Sequence, residues 1–208
     1  MERLEAKKLI EKLIGQDLRL LADQLGVTVR AKNGNINKGW VGHVIETYLG
    51  LAANSSQSPD FGSWELKVCS LKYLKNGLLT VKETMAITMI EPENIKNNPF
   101  ENSHLLNKMS RILIPARIWF SQDEKQSILD SVTEFDLDDP VIYNQIKADY
   151  ELVREIIINQ GFSSLSGTIG KYVQPRTKGK GHGSTSRAFY VRKDLLNKMI
   201  NKRVSHGN

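Results

Sequence analysis

The sequence predicts an α/β (α+β) chain in which helices flank a mixed sheet. Two observations carry that prediction. Runs with helical periodicity alternate along the chain with β-branched and aromatic runs. No Gly/Ser/Pro-rich linker and no internal repeat divides the 208 residues. Hydrophobic residues at 40% and charged residues at 25% are ordinary globular values and exclude a disordered or fibrous chain. The apolar runs are too short to cross a bilayer, and the start "MERLEAKKLI" carries charges where a secretory signal needs apolar residues. The expectation is a cytoplasmic protein with no membrane contact.

Taken in order, "ERLEAKKLIEKLI" and "DLRLLADQLG" have apolar residues at helical spacing, closed by Gly15 and Gly26. "KGWVGHVIETYLG" reads as a third helix, and "LAANSSQSPDFG" as a polar loop. "SWELKVCSLKYL", the turn "KNG" and "LLTVKETMAITMI" read as a hairpin of two long strands. "FENSHLLNKM" is a short helix and "SRILIPARIWF" a further strand. Asp139 before Pro140 is an N-cap and first-turn pair that opens a long helix through "PVIYNQIKADYELVREIIINQGF". Strand "KYVQPRT", loop "KGKGHGSTS", strand "RAFYVRK" and helix "DLLNKMINKRV" close the chain.

One cysteine, Cys69, excludes an internal disulfide and a cysteine-rich zinc site, and in a strand it reads as a packed small hydrophobe. The net charge of +6 is uneven. From Lys171 onward ten basic residues meet one acid, Asp194, so that end carries +9 and the first 170 residues carry −3. Such an end suits a polyanion, or else is a solvated basic tail.

The informative stretch is "PDFGSWELKV", residues 59–68. In a strand, Glu65 and Lys67 share one face while Trp64, Leu66 and Val68 share the other, which must pack in the core. The charged pair then looks into a cleft or into solvent, and Asp60 can reach the same place from the loop. Two carboxylates make an oxygen-rich Mg²⁺ site, and a lysine beside them can orient water and stabilise charge on a phosphate. That is the chemistry of PD-(D/E)xK nucleases. The alternative is an ion pair on an exposed strand. Acid-x-Lys also occurs at Glu5/Lys7 and Asp123/Lys125, outside a strand context. Trp40 and Trp64 read as core residues, and His43 and His104 as structural ones, since no metal-ligand spacing connects them.

"NKGWVGHVIETYLG", "SPDFGSWELKV", "ENSHLLNKMSRILIP", "YVQPRTKG" and "RAFYVRK" resemble, in order and spacing, the motifs of the MutH and Sau-type GATC restriction endonuclease family, within the PD-(D/E)xK superfamily. The resemblance runs over nearly the whole chain. It implies a restriction-endonuclease-like mixed sheet in two lobes around a DNA cleft. A lobe with the catalytic core would span about 1–125 and a DNA-reading lobe about 126–208. It implies that Asp60, Glu65 and the Leu66 main-chain carbonyl ligate Mg²⁺, for which Mn²⁺ substitutes, and that Lys67 is the catalytic lysine. Glu46, which alone reads as an exposed helix residue, falls on a further active-site carboxylate, and Lys108 on a lysine linked to activity. Lys38 and Tyr190 fall on DNA contacts, and Gln174, Pro175 and Arg176 on the Arg-Pro-Lys reading segment. Lys178, Lys180, His182 and Arg187 belong to the basic, glycine-rich stretch suited to phosphates and base edges.

Two departures stand out: the Asp60–Glu65 loop is shorter than in MutH, and Gln174 replaces an arginine. Arginine suits guanine and glutamine suits adenine, so that base contact is not inherited. The expected function is a type II restriction endonuclease on double-stranded DNA, at GATC, with a homodimer on DNA where both strands are cut. The alternatives are a mismatch-repair nickase working with a MutL-like partner, and an inactive DNA-binding module.

Overall fold

A computed structural model describes residues 1–50, 62–179 and 186–200. The centre of the fold is β5 (Arg111–Trp119), in which Ile112 to Ile118 are all buried. Along one edge of β5 runs β6 (Ser127–Asp136), antiparallel over its whole length. Along the other edge run β1 (Glu65–Leu66) and β2 (Cys69–Tyr73), both parallel to β5, with β3 (Leu79–Val81) antiparallel beyond β2. This mixed five-stranded sheet carries helices on both faces. Because β-strand side chains alternate, Ile112, Ile114 and Ala116 enter one apolar core while Leu113 enters the other.

The N-terminal core forms where α1 (Arg3–Glu11), α2 (Leu18–Gln24) and α3 (Trp40–Tyr48) cover the Leu113 face. Ala6, Ile10 and Leu13 give α1 its buried stripe, and Trp40, Val41, Val44 and Ile45 give α3 its own. One Asp17 oxygen caps α2 through the Arg19 amide and also accepts from the Ser127 amide, both at 2.9 Å, tying α2 to β6. Trp40 and Trp64 are each 1% exposed, as core residues should be.

The second core gathers a three-stranded antiparallel sheet of order β4-β8-β7, namely β4 (Met85–Met89), β7 (Val173–Thr177) and β8 (Arg187–Val191). Around it pack α4 (Pro92–Asn97), α5 (His104–Met109), α6 (Pro140–Gln160) and α7 (Lys193–Met199). Asp139 caps α6 through the Val141 and Ile142 amides, at 2.8 and 3.4 Å, with Pro140 in the first turn as expected. Cys69 is buried in this core.

Three expectations are corrected. The hairpin of two long strands is real only between β2 and β3. After Lys82 the chain leaves the first sheet, and β4 joins β8 in the second. The first of those strands is also interrupted at Lys67 and Val68. β1 and β2 keep one register on β5, with Glu65 opposite Ile112 and Cys69 opposite Ala116. The Lys67 amide donates to the Leu113 carbonyl at 3.0 Å. The return bond would come from the amide of residue 115, and Pro115 has none, so the ladder lapses there. Finally, β6 and α4 were absent from the sequence reading; β6 bulges between the partners of Ala116 and Arg117, which upsets its alternation.

Asp149 on α6 organises the entry to β7. Its carboxylate, 3% exposed, accepts from the amides of Lys171, Tyr172 and Val173 at 2.8, 2.6 and 2.9 Å. Gly170 has φ 81, and a Cβ there would lie 1.9 Å from the Val173 carbonyl oxygen, so only glycine fits the turn. Arg192 closes the same loop by donating to the carbonyls of Gly170, Gly167 and Ile169 at 2.9, 3.0 and 3.1 Å. Asp149→Ala strands these amides and is expected to lower the unfolding free energy by about 3 kcal/mol. Urea unfolding should show an earlier midpoint at unchanged slope, and an unchanged midpoint would refute this role.

Candidate active site

The two sheets and α3 enclose an open cleft of about 940 Å³. α3 contributes Val41, Gly42 and Glu46, with Lys38 and Gly39 just before it; the β1–β2 edge contributes Leu66 to Ser70, and β4 a strip from Met85 to Met89. Arg176, Thr177, Lys178 and Tyr190 come from the second sheet. Among the described residues, six basic side chains line the cleft (Lys38, Lys67, Lys108, Arg117, Arg176, Lys178) against two acidic ones, Glu46 and Glu83. Three of these cations are paired with the buried carboxylates Glu65 and Glu124, and Lys38, Arg176 and Lys178 add basic groups that suit an anionic chain.

Under the cleft edge lies Glu65, 0% exposed. The expectation that its strand face opens to a cleft or to solvent holds for Lys67 alone, whose side chain is 21% exposed and lines the cleft. α5 covers Glu65, and Lys108 from its last turn donates to both carboxylate oxygens, at 3.0 and 3.3 Å. Lys67 donates to the same Oε1 from the cleft side. Lys108 is itself 5% exposed but belongs to the cleft lining, so the cluster is largely buried and meets the cleft at both lysines. The reading of Glu65 and Lys67 as an exposed surface pair does not survive this burial.

Local geometry explains why these groups meet. Ser103 caps α5 by accepting from the Leu106 amide at 3.0 Å, which sets the helix so that Lys108 points at β1. In β1, the peptide unit whose Lys67 N–H faces β5 turns the Leu66 carbonyl the opposite way, toward the edge bordering the cleft. The oxygen donors here are a carboxylate, Glu65, a main-chain carbonyl, Leu66, and the cleft carboxylate Glu46. Such hard oxygen ligands suit Mg²⁺ or Mn²⁺ and not a thiolate or imidazole metal. Among the described residues no three acidic, histidine or cysteine side chains form a ready ion site. Asp60, the third expected carboxylate, lies outside the described residues, as do Lys180 and His182.

The other expected residues divide. Lys38, Arg176, Lys178 and Tyr190 do line the cleft, with Arg176 donating to Thr84 Oγ1 at 2.8 Å and its guanidinium 5.6 Å from the Tyr190 ring centre. Gln174 is only 5% exposed, opposite Tyr190 in the β7–β8 register, and Pro175 is buried beside it; neither lines the cleft. Arg187 bonds Thr177 Oγ1 and the Ser163 carbonyl, at 3.3 and 3.4 Å, outside the cleft lining. His43 is exposed on α3 and His104 half-buried at the start of α5.

The sequence reading passed over Arg117. Its guanidinium is buried at the cleft floor in a two-point pair with Glu124, one contact at 2.9 Å, with Ser70 Oγ at 3.1 Å and the Trp40 ring centre at 5.8 Å. Glu124 is buried and has φ 50, a left-handed backbone rare for glutamate. The available signal was a lone charge inside the apolar run "RILIPARIWF".

Comparison with known proteins gives relatives of two kinds. The type II restriction enzyme Sau3AI of Staphylococcus aureus is 26% identical over 88% of this chain; the match spans 41% of that enzyme, so this chain covers about two fifths of its length. The DNA mismatch repair protein MutH of Vibrio parahaemolyticus is also 26% identical, over 91% of this chain and 89% of its own. The structure of a restriction endonuclease MvaI–cognate DNA complex aligns with 13% identity and a TM-score of 0.36 over 88% of this chain and 95% of that one. The family model described as DNA mismatch repair enzyme MutH matches residues 49–155, a span that takes in Asp60 and the whole Glu65–Lys67–Lys108 cluster. That is more than half of the sequence, and the chain accordingly belongs to the MutH family.

Proposed function

We propose that this chain is a divalent-cation-dependent endonuclease that hydrolyses phosphodiester bonds in double-stranded DNA, acting in the cytoplasm as a type II restriction enzyme at GATC. The observation that carries the reading is the buried Glu65 carboxylate bridged by Lys67 and Lys108 at the edge of a cleft whose charged lining is mostly basic. Asp60, Glu65 and the Leu66 carbonyl, with Glu46 nearby, would hold Mg²⁺, which when bound lowers the cost of charge on the attacking and leaving oxygens. Lys67, held by Glu65 and open to the cleft, orients the attacking water and donates to the phosphate as negative charge grows. Lys108 keeps the carboxylate fixed from below, so little reorganisation is needed in the reaction. Water adds to phosphorus, one ester P–O bond breaks, and the departing alkoxide takes up a proton.

The division of labour follows the expected lobes, catalysis over about 1–125 and reading over about 126–208. The two sheets interleave across that boundary, since β6 pairs with β5 and β4 with β8. Arg176 and Tyr190 on the cleft wall are the described candidates for base contact. Gln174 and Pro175, being buried, act by shaping the strand that carries Arg176. The Glu65–Lys67–Lys108 cluster stands assembled in a single chain, which supports cleavage without a helper. One active site cuts one strand, so a double-strand break takes two copies or two successive events. The second reading, a nickase stimulated by a MutL-like partner, draws support from the MutH family match and from the Vibrio MutH, which is as similar in sequence as Sau3AI.

Unmethylated plasmid incubated with Mg²⁺ decides between them. The proposal predicts linear DNA with discrete ends and no product in EDTA. Persistent nicked circles would favour the nickase, and DNA binding without any cut would leave only a binding module. Lys67→Ala is expected to lower the cleavage rate by about 1000-fold with DNA binding retained. Cleavage by that variant at the native rate would refute the assigned mechanism.

A further inference from the structure

The sheet face that forms the cleft floor continues beyond the cleft. Ser70 on β2 and Arg117 on β5 stand opposite one another in register and both line the cleft, with Arg117 Nε donating to Ser70 Oγ at 3.1 Å. Two residues farther along each strand, alternation brings Lys72 and Trp119 to the same face, while Cys69 and Leu71 enter the core behind. Lys82, just after β3, joins them: its amide donates to the Ser70 carbonyl at 2.8 Å, and its ammonium lies 4.5 Å from the centre of the Trp119 ring. That ring contact braces the ammonium and fixes the shared face independently of alternation. Lys72, Lys82 and Trp119 are all partly exposed. The Lys82 ammonium is also 3.5 Å from the carboxylate of Glu83, an exposed residue of the cleft lining, which places it at the cleft rim. So exposed a pair is weak in water and does not bar a phosphate. Residues 71–83 hold Lys72, Lys75 and Lys82 against that single acid, within a 170-residue stretch whose net charge is −3.

We propose that Lys82, braced by Trp119, and Lys72 on the neighbouring strand form a phosphate-binding shelf that holds duplex DNA outside the recognised sequence, where it leaves the cleft. The inference rests on the reading of the cleft as a duplex site. Five residues separate Lys67 from Lys72, about 16 Å along an extended chain. At 3.4 Å per base pair that is about five base pairs from the catalytic edge. A contact to phosphates at that distance positions the duplex without reading its bases. The shelf therefore makes affinity depend on the length of the flank and not on its sequence.

The test compares two duplexes that hold the recognised site, with about 2 or about 12 base pairs on each side, so that the longer alone spans the shelf. Dissociation constants are measured in Mg²⁺-free buffer over a range of salt. The native chain is expected to bind the long duplex more tightly than the short one. Lys72→Gln/Lys82→Gln is expected to weaken the long duplex by about tenfold and the short one by less than about twofold, and to lower the salt slope on the long duplex by about 2. Lys72→Arg/Lys82→Arg, which keeps both charges, should restore most of the loss, and thermal melting of both variants should match the native chain. A double Gln variant that keeps the native affinity and salt slope on the long duplex overturns the shelf, as does one that loses equally on both duplexes. Native flank-dependent binding that the double Gln variant loses, from a chain that cuts nothing, sustains the shelf and overturns the nuclease reading alone. A native chain that binds neither duplex overturns both.

Discussion

A carboxylate with no exposure to water on a central-sheet strand must be compensated, and Glu65 is that carboxylate. Compensation comes from two elements, Lys108 on α5 and Lys67 at the end of β1. Each requires a particular piece of the fold. Lys108 needs α5, capped by Ser103, with its last turn beside Glu65; Lys67 needs strand alternation to carry it to the Glu65 side while its amide stays bonded to β5. The same Lys67 amide bond turns the Leu66 carbonyl away from β5, toward the cleft edge. A parallel strand buried on both faces would ordinarily be apolar throughout, so Glu65 is a departure from local packing of the kind that concentrates at functional sites.

The cleft extends that arrangement to a surface. Its floor is fixed by a second buried ion pair, Arg117 with Glu124, braced by Ser70 and set against the Trp40 ring at the head of α3. Because α3 also brings Glu46 and follows Lys38, the Arg117 pair sets where those side chains enter the cleft. The far wall is held by another buried carboxylate, Asp149, and by Arg192, which together shape the loop leading into β7. The buried charges at Glu65, Arg117–Glu124 and Asp149, each satisfied by its own partners, thus position the β1 edge, the cleft floor and β7. Neutral packing could hold the same elements, but it would not fix polar groups at set places along an anion-binding cleft.

Much of this was legible in the sequence where local chemistry decides the outcome. Asp139-Pro140 gave the start of α6, the spacing in "WVGHVIETY" gave α3, and alternation in "SWELKV" set Trp64 and Leu66 apart from Glu65. What failed depended on partners distant in sequence. The β6 bulge leaves Leu129 and Val132 on one face three residues apart, so no period of two could be seen. The passage from β3 to β4 between sheets has no punctuating Gly or Pro. Arg117 and Glu124 signal their pairing only once β5 and β6 are side by side. For the site, the residue types were readable, and Lys108 came from family resemblance alone, since nothing local places a lysine of α5 on a glutamate 43 residues earlier.

The claim on which the rest depends is that the buried charge of Glu65 is held by Lys108. A double-mutant cycle in urea unfolding, with Lys108→Met, Glu65→Gln and both together, measures it most directly. Lys108→Met alone should destabilise strongly, because Glu65 loses its inner partner, and the double variant should regain much of that loss. A coupling energy of about 1–3 kcal/mol is the predicted result, and single-variant costs that add within about 0.5 kcal/mol would contradict it.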